Sequence, residues 1–283
     1  MADNNYLHTA YANSADGTDG FTTVYPNLNL LTDSKYFKNK NVAISELTTT
    51  IASPYSTIVK ENNDTYLHFS KTESNYSDWF RAYIIPGSSV SPNFPNVDVK
   101  PNSQYTFSVW LKGTGTHTIY AYSKWTIPNP TTLTVTLTDK WTRYSLTVVT
   151  SATIPTEDAQ FFIRSNIVGS EINLKKPKLE PGSIATPYMQ SASEVTTADW
   201  PKYVGTYVDT NPTSSMEPSK YDWDEMKYRV YLDGTPVGGS KLLSFDLENL
   251  KAGTSYNVQV SQINGNVESD KSESVTFKTT LPK

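Results

Sequence analysis

Three residues at alternate positions, Trp79, Arg81 and Tyr83, offer the most direct chemistry in this chain. Successive side chains of an extended strand point to opposite faces, so the run from Ser77 to Ile85 puts this trio on one face and Phe80, Ala82 and Ile84 on the other. The same rule aligns Tyr120, Tyr122 and Lys124, and it aligns Gln160 with Phe162 and Arg164. Trp125 stands just before Ile-Pro-Asn-Pro, where its ring would overhang a cleft or cap a strand. Aromatic rings beside guanidinium groups suit a saccharide. A pyranose packs its CH face on a π face, and its hydroxyls need rigid polar partners such as the forked donors of Arg. The carbohydrate-binding candidates are therefore Trp79, Arg81, Tyr83, Tyr120, Tyr122, Trp125, Phe162 and Arg164. Protein interfaces favour the same residue types, so contact with a neighbouring chain is the competing reading.

Catalysis finds less support. His8, His68 and His117 are the only histidines and stand far apart, without His-Glu-x-x-His, Gly-x-Ser-x-Gly or a phosphate-cradling glycine loop. A glycosidase needs two carboxylates flanking its substrate. Asp78, Asp98, Asp139, Glu157 and Asp158 are available, but Asp139 and Asp158 fall in turns and Asp78 lies opposite the Trp79 face. They read as solvated acids, and no catalytic residue is assigned. The absence of Cys removes disulfides and thiolate metal or redox sites.

The elements that must position these residues read as strands. Tyr105, Phe107, Val109 and Leu111 alternate with Thr106, Ser108, Trp110 and Lys112, the pattern of a strand with one face in a core. Further candidates are 48–51, 66–70, 79–85, 117–124, 133–137, 141–149, 160–164 and 172–174, joined by Pro, Gly, Asn and Asp turns. The loop 86–101, with four prolines, is expected to cross between sheets. With 19 Tyr, 10 Phe and 6 Trp in 283 residues and few helix-period segments, the chain is expected to be all-β. A formal charge of −4 without a Lys/Arg block argues against nucleic acid. The N-terminus lacks the basic and apolar regions of a signal peptide, and no stretch is apolar enough for a membrane helix.

Asn29-Leu-Leu31, the Tyr105–Lys112 run, Leu133 to Leu146 and the closing Asn173-Leu-Lys-Lys-Pro-Lys-Leu-Glu-Pro-Gly-Ser-Ile-Ala-Thr-Pro-Tyr188 resemble the jelly-roll carbohydrate-binding modules in tail proteins of phages infecting Gram-positive bacteria. Enzyme-linked relatives of such modules carry an Asp pair beside a structural calcium. This chain has Lys175-Lys176 there, which leaves that ion unsupported and no cofactor assigned. Residues 8–17, and 203–209 followed by 218–223, resemble two halves of a short phage-tail module. Leu250, Gly253 and Tyr256 resemble the tyrosine corner of a fibronectin type III domain. The expected organisation is a jelly-roll β-sandwich (26–192) inserted into a split β module (1–25 and 193–225), followed by a fibronectin type III-like sandwich (226–283). The source of that sandwich's first strands, 195–225 or the N-terminus, stays open.

These resemblances imply a virion protein of the tail or baseplate that binds host cell-wall or surface polysaccharide without catalysis. Other tail proteins and further copies of itself would be its partners. A polysaccharide-degrading tail subunit and a purely structural decoration protein are the alternatives.

Overall fold

The computed structural model describes residues 5–37, 42–44, 56–62, 64–70, 78–85, 96–164 and 167–280, with backbone alone at 42–44, 56 and 78–80. In chain order the strands begin with β1 (Tyr6–Ala12), β2 (Val42–Ile44), β3 (Ser56–Glu61), β4 (Asp64–Ser70), β5 (Asp78–Ile85) and β6 (Gln104–Gly113). Next come β7 (Thr116–Tyr122), β8 (Thr126–Ile127), β9 (Thr131–Thr136), β10 (Thr142–Thr150), β11 (Ala159–Arg164) and β12 (Glu171–Pro181). The last are β13 (Tyr203–Asp209), β14 (Asp222–Glu225), β15 (Tyr228–Leu232), β16 (Thr235–Ser240), β17 (Ser255–Asn264), β18 (Val267–Glu268) and β19 (Val275–Lys278). The strand expected at 48–51 lies outside the described residues.

Residues 28–195 form one compact unit, a sandwich of two antiparallel sheets. One sheet has the order β3-β4-β12-β6-β10-β8 and the other β2-β5-β11-β7-β9. β5 and β6 lie in different sheets, and most of the loop expected at 86–101 lies outside the described residues. The sequence alternation of β6 explains the core: Phe107, Val109 and Leu111 are fully buried, and Phe107 stacks on Phe161 of β11 at 4.4 Å. Trp125 belongs to the same core. It is fully buried and meets Phe161 edge-on at 5.1 Å, so it cannot overhang a surface cleft.

The polar face of β6 departs from simple alternation, because Thr106 and Ser108 are buried as well. The chain leaving β12 lies across them. Thr106 Oγ1 donates to the Gly182 carbonyl at 2.8 Å, and Arg143 of β10 donates to Ser108 Oγ and to the Ala185 and Thr186 carbonyls. That part of the sheet's outer face is thus covered by chain, while Trp110 and Lys112 stay partly exposed.

Residues 1–27 and 196–283 form the second compact unit. β1 pairs with β13 over seven residues and β13 with β14, giving a three-stranded sheet made from segments far apart in sequence. A second sheet has the order β16-β15-β17-β18, with β19 also on β17. Arg229 of β15 joins these parts: its Nε donates to the Tyr25 hydroxyl at 3.0 Å, its guanidinium lies 4.9 Å from the Trp200 ring centroid, and it pairs with Glu268. Arg229 thus links the split module and the C-terminal strands within one compact unit. The Tyr256 hydroxyl accepts the Lys251 N–H at 2.9 Å, closing the corner read from Leu250, Gly253 and Tyr256.

Gly17 shows how tightly this unit is packed. Its φ of +74° is a left-handed conformation that suits glycine, and a Cβ there would stand 2.2 Å from the Trp223 ring. Gly17→Ala is expected to cost about 2–4 kcal/mol in denaturant unfolding, from backbone strain plus overpacking. An unchanged midpoint would show that ring and loop are not pressed together.

Candidate saccharide-binding face

The outer face of the five-stranded sheet is set by the register of β11. Gln160 lies between Tyr83 of β5 and Tyr122 of β7, and Phe162 lies between Arg81 and Tyr120. Arg164 pairs with Thr118 on β7 and, past a bulge, with Asp78 on β5. Three short sequence runs, far apart in the chain, thereby become rows on one surface.

At its centre Phe162 is buried, at 3% exposure, beneath its neighbours. Tyr120 stacks on it at 4.7 Å with planes 17° apart, and Tyr122 meets it edge-on at 5.5 Å. The Arg164 guanidinium lies 4.9 Å from the Phe162 centroid and 5.3 Å from that of Tyr120, and Arg81 lies 5.9 Å from Phe162. Arg81 Nη1 also donates to Gln160 Oε1 at 2.9 Å. Each cation–π contact contributes about 0.5–2 kcal/mol and, with the hydrogen bond, holds the guanidinium forks in place before any ligand arrives.

Of the eight candidate residues, Arg81, Tyr83, Tyr120, Tyr122, Phe162 and Arg164 share this face. Tyr122, at 48% exposure, is its most open ring; Tyr120, Arg81 and Arg164 are half-buried. Tyr83 and Phe162 are both buried, where the sequence reading expects exposed rings. Burial also pushes the Tyr83 phenol above its usual pKa. Trp125 is a second correction, lying in the core as described. Trp79 occupies the bulge of β5 where the β11 register shifts, and its side chain is outside the described residues. Lys124 does not extend the Tyr120–Tyr122 row: β7 stops at Tyr122, and Ser123 and Lys124 turn away with φ of 82° and 59°.

Sequence reasoning passed over the polar margin of this face. Tyr120 pairs with Thr132 and Thr118 with Thr134 across β7 and β9, and Thr116 and Thr136 hydroxyls meet at 3.2 Å. Thr132, Thr134 and Thr136 alternate in the sequence, and that period-two hydroxyl row was the available signal. The face thus offers ring surface, two guanidiniums and a ladder of hydroxyls.

On the other sheet, the site that resemblance ties to calcium is organised differently. Lys175 pairs with Asp64, and Lys176 Nζ stands 3.9 Å from the same carboxylate. Burial disfavours the charged form of Asp64, yet the hydrogen bond from Lys175 and the charges of both lysines outweigh it and hold the carboxyl below its usual pKa. Cations occupy the place where an Asp pair would hold a cation.

Residues 201–259 match the family described as minor structural protein 5-like, C-terminal domain. No curated protein matches the chain. A carbohydrate-binding module of Cellvibrio mixtus lichenase 5A, solved with cellotriose, is 13% identical over 56% of this chain and 99% of its own, with a TM-score of 0.31, too distant for its ligand to carry over. A chain from the tripod of the bacteriophage Tuc2009 baseplate is 50% identical, with a TM-score of 0.76 and 100% of both chains covered. With that identity over the full length of both, this chain belongs to the family of phage baseplate proteins that the Tuc2009 tripod component represents.

Proposed function

We propose that this baseplate protein binds host cell-surface polysaccharide, without catalysis, through the outer face of its five-stranded sheet, and so aids adsorption. The observation that carries the reading is the cluster of Tyr120, Tyr122 and Phe162 braced by Arg81 and Arg164. Its exposed member is the Tyr122 ring, two half-buried guanidiniums flank it, and the buried members make the cluster rigid. Among the acids weighed for catalysis, Asp98 is exposed and held by Lys100 at 2.7 Å, and Asp139 is exposed in the turn before β10, which supports a binding role over a hydrolytic one. An open sheet face buries little of a polar ligand, so single-site affinity is weak, and repeated copies on a baseplate compensate by avidity.

Tyr122→Ala is expected to weaken binding to purified host cell-wall polysaccharide about tenfold, the loss of about 1.4 kcal/mol from a ring contact. Its thermal transition should stay within a degree or two of the parent, because the ring is half exposed. Binding unaltered in Tyr122→Ala and in Arg164→Ala would reject this face as the site.

A further inference from the structure

Trp141 precedes β10, whose first residue Thr142 pairs with Leu111 of β6, and a ring there could simply have closed the sandwich edge. Instead it lies back over the outer face of the six-stranded sheet. Lys175 Nζ of β12 lies 4.3 Å from its ring centroid and Lys112 Nζ of β6 lies 5.8 Å away. Tyr66 of β4 meets it edge-on at 5.5 Å, although β4 and β10 are separated by two strands. Both lysines rise from strands of that sheet, and the Trp141 ring stays partly exposed.

Among the described residues, charge at this place is unbalanced. Lys112, Lys175 and Lys176 converge, and Asp64 takes up Lys175 with Lys176 beside it. Lys112 has no ion-pair partner among the described residues, and Glu61 stands at the rim, accepting the Tyr66 hydroxyl at 3.5 Å. This surplus of ammonium groups sits in a chain whose formal net charge is −4. Cations beside the indole draw on its π density and weaken it as a platform for a neutral sugar, while they favour a ligand with negative charge. The segment after β12 covers Thr106 and Ser108 on this outer face, and Trp110, Lys112, Trp141, Lys175 and Tyr66 stay partly exposed beyond it, beside Asp64 and the His68–Asn173 pair.

We propose that this patch is a second saccharide subsite, selective for an acidic sugar: the pyranose lies on Trp141 and its carboxylate or phosphate meets Lys112 and Lys176. It is on the sheet opposite the Tyr122 face and does not depend on that face binding anything. The lysines act as point charges and accept either anion, so both sources are to be tested.

Calorimetric titration of the full chain with a glucuronate-containing oligosaccharide, a phosphodiester-linked oligosaccharide, cellohexaose and inorganic phosphate tests this. At least one acidic oligosaccharide should bind about tenfold more tightly than cellohexaose, with affinity falling as salt is raised. Lys112→Gln and Trp141→Ala should each weaken that binding about fivefold or more, and Tyr122→Ala should leave it intact. Lys112→Gln changes a partly exposed side chain and keeps the test valid if Trp141→Ala folds poorly. Four results would overturn the proposal: no acidic oligosaccharide binding, binding unaffected by both substitutions, loss that appears equally in Tyr122→Ala, or inorganic phosphate binding as tightly as the sugars.

Discussion

Lys178→Met is expected to destabilise the sandwich unit by about 3–5 kcal/mol, because it takes the lysine away from a buried carboxylate. Lys178 and Glu180 are both fully buried on β12 and pair at 3.1 Å. Lys178 Nζ also donates to Thr186 Oγ1 and to the Pro187 carbonyl, each at 2.7 Å. Glu180 Oε1 accepts the Thr186 N–H at 3.0 Å, and the Thr186 hydroxyl donates to the other carboxylate oxygen. The network ties the segment after β12 down onto the sheet, which is why Lys-Pro-Lys-Leu-Glu-Pro-Gly and Ala-Thr-Pro-Tyr go together in the closing motif. Urea unfolding measures the loss, and protease cleavage within 181–190 should appear first in the variant. Adding Glu180→Gln should recover part of the stability by removing a buried charge that has lost its lysine. A midpoint shift worth under about 1 kcal/mol would contradict the account.

The same lysine has a pH signature. Burial pushes its ammonium from 10.5 down to about 8, with the Glu180 charge pulling the other way. The folded chain therefore releases this proton near pH 8, whereas the unfolded chain holds it to 10.5. Between those values the unfolded state binds more protons, so this group's contribution to stability rises with pH as the cost of burying its charge is relieved. The stability difference between the parent and Lys178→Met should widen across that window.

Asn29→Leu is the second large effect, expected at about 3 kcal/mol or more from several buried groups losing partners at once. At 2% exposure, Asn29 donates through Nδ2 to Ser34 Oγ at 2.8 Å and to the Pro177 carbonyl at 2.9 Å. Its Oδ1 accepts the N–H groups of Leu31 at 3.0 Å and Leu179 at 2.9 Å. One side chain thus stitches the first segment of the sandwich to its last strand, β12. Leu matches the volume but leaves those amides and the carbonyl unpaired. Asn29→Asp, which keeps the acceptor, should fall between the two. Denaturant unfolding together with faster exchange of the Leu179 amide checks this, and an Asn29→Leu variant as stable as the parent would contradict it.

What could be read from the sequence followed from periodicity. β4, β5, β6, β10 and β11 carry large apolar residues at every second position and were found close to their observed bounds. β3 was missed because, as an edge strand of largely exposed residues, it buries no stripe to reveal it. For the candidate site, alternation grouped Tyr120 with Tyr122 and Phe162 with Arg164 correctly. Only the β11 register decides that Phe162 and Tyr83 lie beneath their neighbours while Tyr122 stays open. Trp125 was read from the local chain as overhanging a cleft or capping a strand, and tertiary packing places it in the core instead. The Asn29 and Lys178 motifs stood out by resemblance, but their cause is contacts across 148 residues in one case and a buried network in the other.

The most direct test of the central claim is amide chemical-shift mapping of the full chain during titration with purified host cell-surface polysaccharide. Shifts concentrated on Arg81, Tyr120, Tyr122, Phe162 and Arg164, with Thr132 and Thr134 at the margin, are the predicted result. A saturating titration that leaves those amides unmoved, with shifts confined to residues 1–27 and 196–283 or absent altogether, would contradict it.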